Sequence, residues 1–163
     1  MKLNRESEYG LKALVFLAQQ RPGAVFQAST IAEAKELPRG FLAKIFQKLT
    51  QHGLLRSHRG KRRGYTLARA PEEIFLREIV EAIEGPGLFD RCIFWSGRCS
   101  TTNPCLLHEW FKEVKPRLEE MLTTTTLAEV LAQNALAGGT ELCREFAPGL
   151  FGAEKRHQPP SQP

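Results

Sequence analysis

Residues 37–71 contain no aspartate or glutamate and nine lysines or arginines, and their apolar residues fall into two successive periods. Phe41, Leu42, Ile45, Phe46 and Leu49 recur at helical spacing, leaving Arg39, Ala43, Lys44, Gln47, Lys48 and Gln51 on the other side. His52 and Gly53 stop that helix. The period then shortens to that of a strand. Residues 54–58 and 65–67 flank the tip Arg59-Gly60-Lys61-Arg62-Arg63-Gly64, which is the signature of a β-hairpin. An amphipathic helix buries its apolar side and leaves its charged side in water. This stretch therefore folds as a surface helix and hairpin with the cations turned outward. Of the 23 basic residues, the other 14 are set against all 18 acidic ones, so the net charge of +5 understates a local cation.

The flanking elements complete the pattern. Tyr9, Ala13, Leu14, Phe16 and Leu17 group on one side of a helix over residues 7–20, closed by Arg21-Pro22-Gly23. A short second helix starts near Thr30, where Thr30-Ile31-Ala32-Glu33 fits a capping box, and Leu37-Pro38-Arg39-Gly40 is a turn. A fourth helix over residues 71–84 carries Ile74, Phe75, Ile79, Val80 and Ile83, and Gly85-Pro86-Gly87 breaks it. Helix, helix, turn, helix, hairpin is the order of a winged helix-turn-helix. Asn103-Pro104 reads as the cap and first position of a longer helix with Leu107, Phe111, Val114, Leu118 and Met121 on an a/d seam, with Pro116 as a kink or weak point. Thr126-Leu127-Ala128-Glu129 is a second capping box, opening a last helix to Leu136. The expected fold class is mainly α with a small β-hairpin, a winged helix-turn-helix plus a long C-terminal dimerisation helix. The chain divides into residues 1–84 for DNA binding, a ligand-bearing loop at 85–105, dimerisation helices at 104–136 and a flexible tail at 137–163.

Such a module binds double-stranded DNA. Arg39, at the start of the third helix, suits a guanine, whose O6 and N7 a guanidinium can bridge; Lys44, Gln47 and Lys48 suit phosphates or sugars. In the hairpin, Arg59 suits the minor groove, and Lys61, Arg62 and Arg63 suit phosphates. The bland alternatives are a solvated basic face or a membrane surface. No apolar run approaches the roughly 20 residues that span a bilayer, and the first residues lack a signal peptide's apolar core. A cytoplasmic protein is expected. No nucleotide loop, substrate motif or acid–base pair points to an enzyme or to a small-molecule substrate.

Three of the four cysteines form the run Cys92-x6-Cys99-x5-Cys105, with His108 three residues further on. In a reducing compartment such a run serves a metal or redox sensing rather than disulfides. Placed at a helix N-terminus, Cys105 and His108 gain from the dipole, which favours a thiolate and an anionic centre. Three thiolates and an imidazole suit an iron–sulphur cluster, 2Fe-2S or 4Fe-4S, or zinc, although structural zinc sites use closer pairs. A thiol-oxidation switch is the other alternative. Cys143 stands apart in the tail and is read as a bystander.

Several short segments then carry a family resemblance: Met1-Lys2-Leu3 with Tyr9, Phe41-Leu42 through Leu49 to Gly53-Leu54, Arg59-Gly60, Gly64-Tyr65, Cys105-Leu106 and Thr126-Leu127-Ala128-Glu129. Together they resemble the Rrf family of bacterial winged-helix regulators over residues 1–136, and the cysteine run resembles its iron–sulphur members. The resemblance implies a homodimer with one cluster per subunit, acting as a repressor whose DNA affinity follows cluster state. In IscR-like members the fourth ligand is a histidine at the place of His108. In NsrR-like members it is a carboxylate from the other subunit, at the place of Glu8. The 2Fe-2S, His108-ligated form is favoured. Ala43 stands where IscR-like recognition helices carry a glutamate that discriminates between site types.

Overall fold

The computed structural model describes residues 3–88 and 100–136. Cys92, Cys99, Cys143 and the tail fall outside these. Six helices and one hairpin follow in the order α1 (Arg5–Ala18), α2 (Ala28–Ala34), α3 (Arg39–Gln51), β1 (Leu55–His58), β2 (Gly64–Leu67), α4 (Leu76–Glu84), α5 (His108–Thr124) and α6 (Leu127–Leu136). The mainly helical winged helix-turn-helix expected from the sequence is thus present.

The core is built by the periodic positions. Leu42, Ile45, Phe46 and Leu49 of α3 are buried against Ala13, Leu14 and Leu17 of α1 and Ile79 and Ile83 of α4. Each such side chain contributes about 1.5–3 kcal/mol when fully buried. Phe46 meets Tyr65 of the hairpin edge to face, with ring centroids 4.7 Å apart. Leu127, at the start of α6, is fully buried in the same core. Phe41 is the exception on α3: 54% of it is exposed. It lies one residue ahead of Leu42, too far round the helix to reach the core.

The hairpin pairs Leu55 with Leu67, Arg56 with Thr66, Ser57 with Tyr65 and His58 with Gly64, and a single 3-10 turn over Gly60–Arg62 forms its tip. A third segment joins its edge, since the Phe26 amide donates to the Tyr65 carbonyl at 3.1 Å and the Tyr65 amide to the Phe26 carbonyl at 2.8 Å. Gly64 makes this approach possible, because a Cβ there would lie 2.5 Å from the Phe26 carbonyl oxygen.

Four local expectations are corrected. The second helix begins at Ala28, not Thr30, because the bridge at Phe26 fixes where the chain turns upward; Gln27 occupies the cap and no side chain caps it. Glu33 pairs with Arg39 rather than reaching back. The fourth helix begins at Leu76, since Ile74 and Phe75 are extended and paired with the start of α6: the Leu127 amide donates to the Ile74 carbonyl at 2.8 Å, and the Leu76 amide to the Thr125 carbonyl at 3.0 Å. The fifth begins at His108, because Asn103 is spent in a turn with Ser100, each amide donating to the other's carbonyl at 3.2 Å. That helix runs through Pro116 without interruption. The second capping box does form, with the Glu129 amide donating to Thr126 Oγ1 at 3.2 Å and the Thr126 amide to Glu129 Oε2 at 2.7 Å.

Gly64→Ala should force the wing from Phe26 and destabilise the protein by about 1–3 kcal/mol, the usual size of an overpacking defect. Urea denaturation of the variant measures this, and an unchanged midpoint would show that the bridge is not needed.

Candidate nucleic-acid interface and cysteine site

Packing one face of α3 into the core leaves the other face as a row. Arg39, Ala43, Lys44, Gln47 and Gln51 are all exposed along it. Arg39 is ion-paired with the exposed carboxylate of Glu33 on α2, so its guanidinium is held at the mouth of the α2–α3 turn. The hairpin then places Arg59, Lys61, Arg62 and Arg63 at the tip, all exposed and, among the described residues, without an acidic partner. Cations with no local neutralisation attract a polyanion most strongly.

Hairpin and α2 enclose a groove of about 460 Å³ lined by Gln27, Ser29, His58, Arg59, Arg63 and Tyr65, among others. A second groove of about 460 Å³, sharing Gln27 and Arg63 with the first, includes Phe26, Thr30, Lys61 and Arg62. The tip cations therefore face α2 across clefts in which a strand of backbone phosphates can lie. His58, whose Nε2 lies 3.0 Å from Thr66 Oγ1, together with Gln27, Ser29 and Thr30, was missed by sequence reasoning. The Phe26–Tyr65 bridge joins the residues just before α2 to the hairpin, and no local pattern signals it.

Lys48 lies elsewhere. Its Nζ donates to Glu6 Oε2 at 2.8 Å and to the Ile83 carbonyl at 2.8 Å, which turns it toward α1 and α4 and away from the row of Lys44 and Gln47.

Of the four residues read as ligands, two lie within the described residues. Cys105 is half-buried, in the turn that precedes α5 rather than on the helix itself. The His108 amide donates to its carbonyl at 3.0 Å, so one turn of chain brings the two residues together at the head of α5. A cysteine kept only for packing is usually fully buried, and Cys105 is not. Glu8 is on α1 and pairs with Lys12 at 2.6 Å. Within one chain no group of three metal-binding side chains gathers among the described residues.

A family model described as an iron-dependent transcriptional regulator matches residues 3–133. The chain belongs to the Rrf2 family. A helix-turn-helix transcriptional regulator of Aquifex aeolicus is 31% identical over 125 residues, which cover 76% of this chain and 86% of that one. Among solved structures, that of IscR from T. potens is similar at 28% identity and a TM-score of 0.65, covering 86% of this chain and 93% of that one. The structure of CymR, named as the global cysteine regulator of B. subtilis, has the same fold, with 23% identity, a TM-score of 0.65 and coverage of 82% and 98%. The Rrf2 protein described here is thus a DNA-binding transcriptional regulator, and its relatives are regulators rather than enzymes. No helix among its described residues is long and apolar enough to cross a membrane.

Arg62→Ala and Arg63→Ala should each weaken binding to a duplex enriched from random DNA by this protein. The log–log dependence of affinity on salt should lose about 0.9 per phosphate contact removed. Fluorescence anisotropy across a potassium chloride series reads this, and an unchanged slope would take the tip off the DNA.

Proposed function

We propose that this Rrf2 regulator is a homodimeric repressor whose operator affinity follows the state of an iron–sulphur cluster held by Cys92, Cys99, Cys105 and His108. The observation that carries the reading is the backbone turn that sets a half-buried Cys105 three residues ahead of His108 at the head of α5. Both other cysteines are within 13 residues upstream of Cys105. The donor set of soft thiolates and one borderline imidazole fits such a cluster, 2Fe-2S before 4Fe-4S. Glu8 of a second copy is the alternative fourth ligand. When bound, the cluster supplies a redox-active centre that ties its ligands together only while it persists. The DNA-reading set in this proposal is Arg39, Lys44, Gln47, Arg59, Lys61, Arg62 and Arg63, in the cytoplasm of a bacterial cell.

Dimerisation is assigned to α5. Leu122 is the one residue of this helix that is buried, while Trp110 is 69% exposed, Val114 56% and Met121 47%. Positions 107, 110, 111, 114, 118 and 121 form one continuous apolar stripe. A helix whose apolar stripe faces water in one chain suits a second copy of that helix, and a dimer matches a two-fold operator.

Anaerobic purification followed by iron and acid-labile sulphide assays tests the cluster. About two of each per subunit fits three thiolates and His108, and Cys92→Ala, Cys99→Ala or Cys105→Ala should remove the visible absorbance. About four of each, with absorbance lost in Glu8→Ala and kept in His108→Ala, would move the fourth ligand to the partner's α1. A protein that stays colourless after reconstitution would leave a zinc site or a thiol-oxidation switch. Val114→Asp should convert the dimer to monomer in sedimentation velocity and abolish tight operator binding; a variant that stays dimeric would move the interface off α5.

A further inference from the structure

The last turn of α4 is a joint between three helices. Glu84 accepts three hydrogen bonds from the start of α1: from the Asn4 amide at 2.7 Å, from Asn4 Nδ2 at 2.7 Å and from Ser7 Oγ at 2.6 Å. The first amides of a helix lack intrahelical partners and attract negative charge. Asn4 makes no side-chain cap bond to its own helix, so a carboxylate from α4 satisfies the entry of α1. One residue earlier, the Ile83 carbonyl is among the last in α4 and has no donor within the helix. Lys48 of α3 supplies one at 2.8 Å and also binds Glu6 on α1. The Ile83 side chain is packed tightly beneath, since a Cβ on Gly10 would lie 2.3 Å from Ile83 Cδ1 and 3.3 Å from Ile45 Cγ2. Gly85 follows at once, and Cys92 stands eight residues after Glu84.

We propose that Lys48 is a positioning residue, not a phosphate contact: it fastens α3 to the junction of α1 and α4, where the cysteine-bearing segment begins. Lys48 is one helical turn from Lys44, which lies in the exposed row. A displacement at residues 83–85 therefore reaches α3 through the apolar packing of Ile83 in the core it shares with Ile45 and, as a polar link, through Lys48 with its two partners. Glu84 holds the other side of the joint to α1. The coupling rests on the cluster-sensing reading above, whereas the positioning role of Lys48 does not.

The two roles give opposite signs in one variant. If Lys48 bound phosphate, removing its competitor in Glu6→Gln would strengthen DNA binding. As a positioning pair, Glu6→Gln weakens it. The experiment measures affinity of the full-length protein for its selected duplex across a salt series, in wild type, Lys44→Ala, Lys48→Ala, Lys48→Met, Lys48→Arg and Glu6→Gln. Lys48→Ala and Lys48→Met should each lose roughly tenfold, the scale of one charge-assisted hydrogen bond, with an unchanged salt slope. Lys44→Ala should lower the slope by about 0.9. Lys48→Arg, which keeps the donors, should recover most of the loss. A slope in Lys48→Ala that falls as in Lys44→Ala, or tighter binding in Glu6→Gln, overturns the proposal.

The coupling is read from the ratio of affinities of cluster-loaded and cluster-free protein. Lys48→Met and Glu84→Gln should bring that ratio toward one while the visible spectrum stays as in wild type. A ratio as large as in wild type overturns the coupling. A ratio of one in wild type itself would sink the sensing function, with the salt slopes still deciding the role of Lys48.

Discussion

The division of α3 into a buried and an exposed face is the constraint on which the rest of the molecule depends. Leu42, Ile45, Phe46 and Leu49 are all fully or almost fully buried, in one core with residues of α1 before them and α4 after them. Rotating α3 by a single residue would expose four large side chains at about 1.5–3 kcal/mol each. Nothing on its polar face could repay that. The rotation of the helix is thus set from the inside, and the outward row of Arg39, Lys44 and Gln47 is its consequence. In the proposed reading, recognition of DNA is a by-product of core packing: the residues assigned to the groove are aimed by residues that would never meet it.

The same logic explains why α2 and the hairpin converge. Phe46 holds Tyr65 edge to face, Tyr65 carries the backbone bridge to Phe26, and Phe26 meets Phe16 of α1 edge to face with centroids 5.3 Å apart. A chain of aromatic contacts therefore runs from the core to the edge of the wing. It places the first residues of α2 opposite Arg59 and Arg63. The cations of the tip face a formed groove instead of swinging on a free hairpin, so less conformational entropy is lost when a polyanion enters.

Features with local causes were legible in the sequence. The Thr126–Glu129 capping box, the apolar period of α3 from Leu42 to Leu49 and the acid-free hairpin formed as read, because each depends on neighbours within four residues or on composition alone. Thr30–Glu33 has the same spacing and failed, since a backbone bridge four residues upstream settled where α2 starts and Arg39 took the carboxylate. Ile74 and Phe75 matched the helical period of α4, yet pairing with Thr126 drew them into an extended conformation. At the site, charge made the tip and the outward row visible, but not Lys48. Its position on the helix is compatible with either side, and only Glu6 and Ile83, which lie 42 and 35 residues away, decide between them.

α5 raises a different question of balance. Seventeen residues with one buried side chain gain little from the rest of the chain, and an isolated helix of that length is marginal in water. Its polar face offers the ion pairs Lys112–Glu109 and Lys115–Glu119, at 3.7 Å and 3.6 Å, which as exposed pairs contribute at most about 0.5 kcal/mol each. Pro116 removes a backbone bond from its middle. Leu118 and Leu122 anchor it to Val80 of α4 and Leu88, but Trp110, Val114 and Met121 of its apolar stripe face water in one chain. In the dimer proposed above, a second copy of α5 would resolve the deficit, and it would also place the turn holding Cys105 and His108 at the head of a helix whose order depends on the partner. A ligand bound at that turn and the pairing of two subunits would then stabilise the same helix, so each would favour the other without any further contact between them.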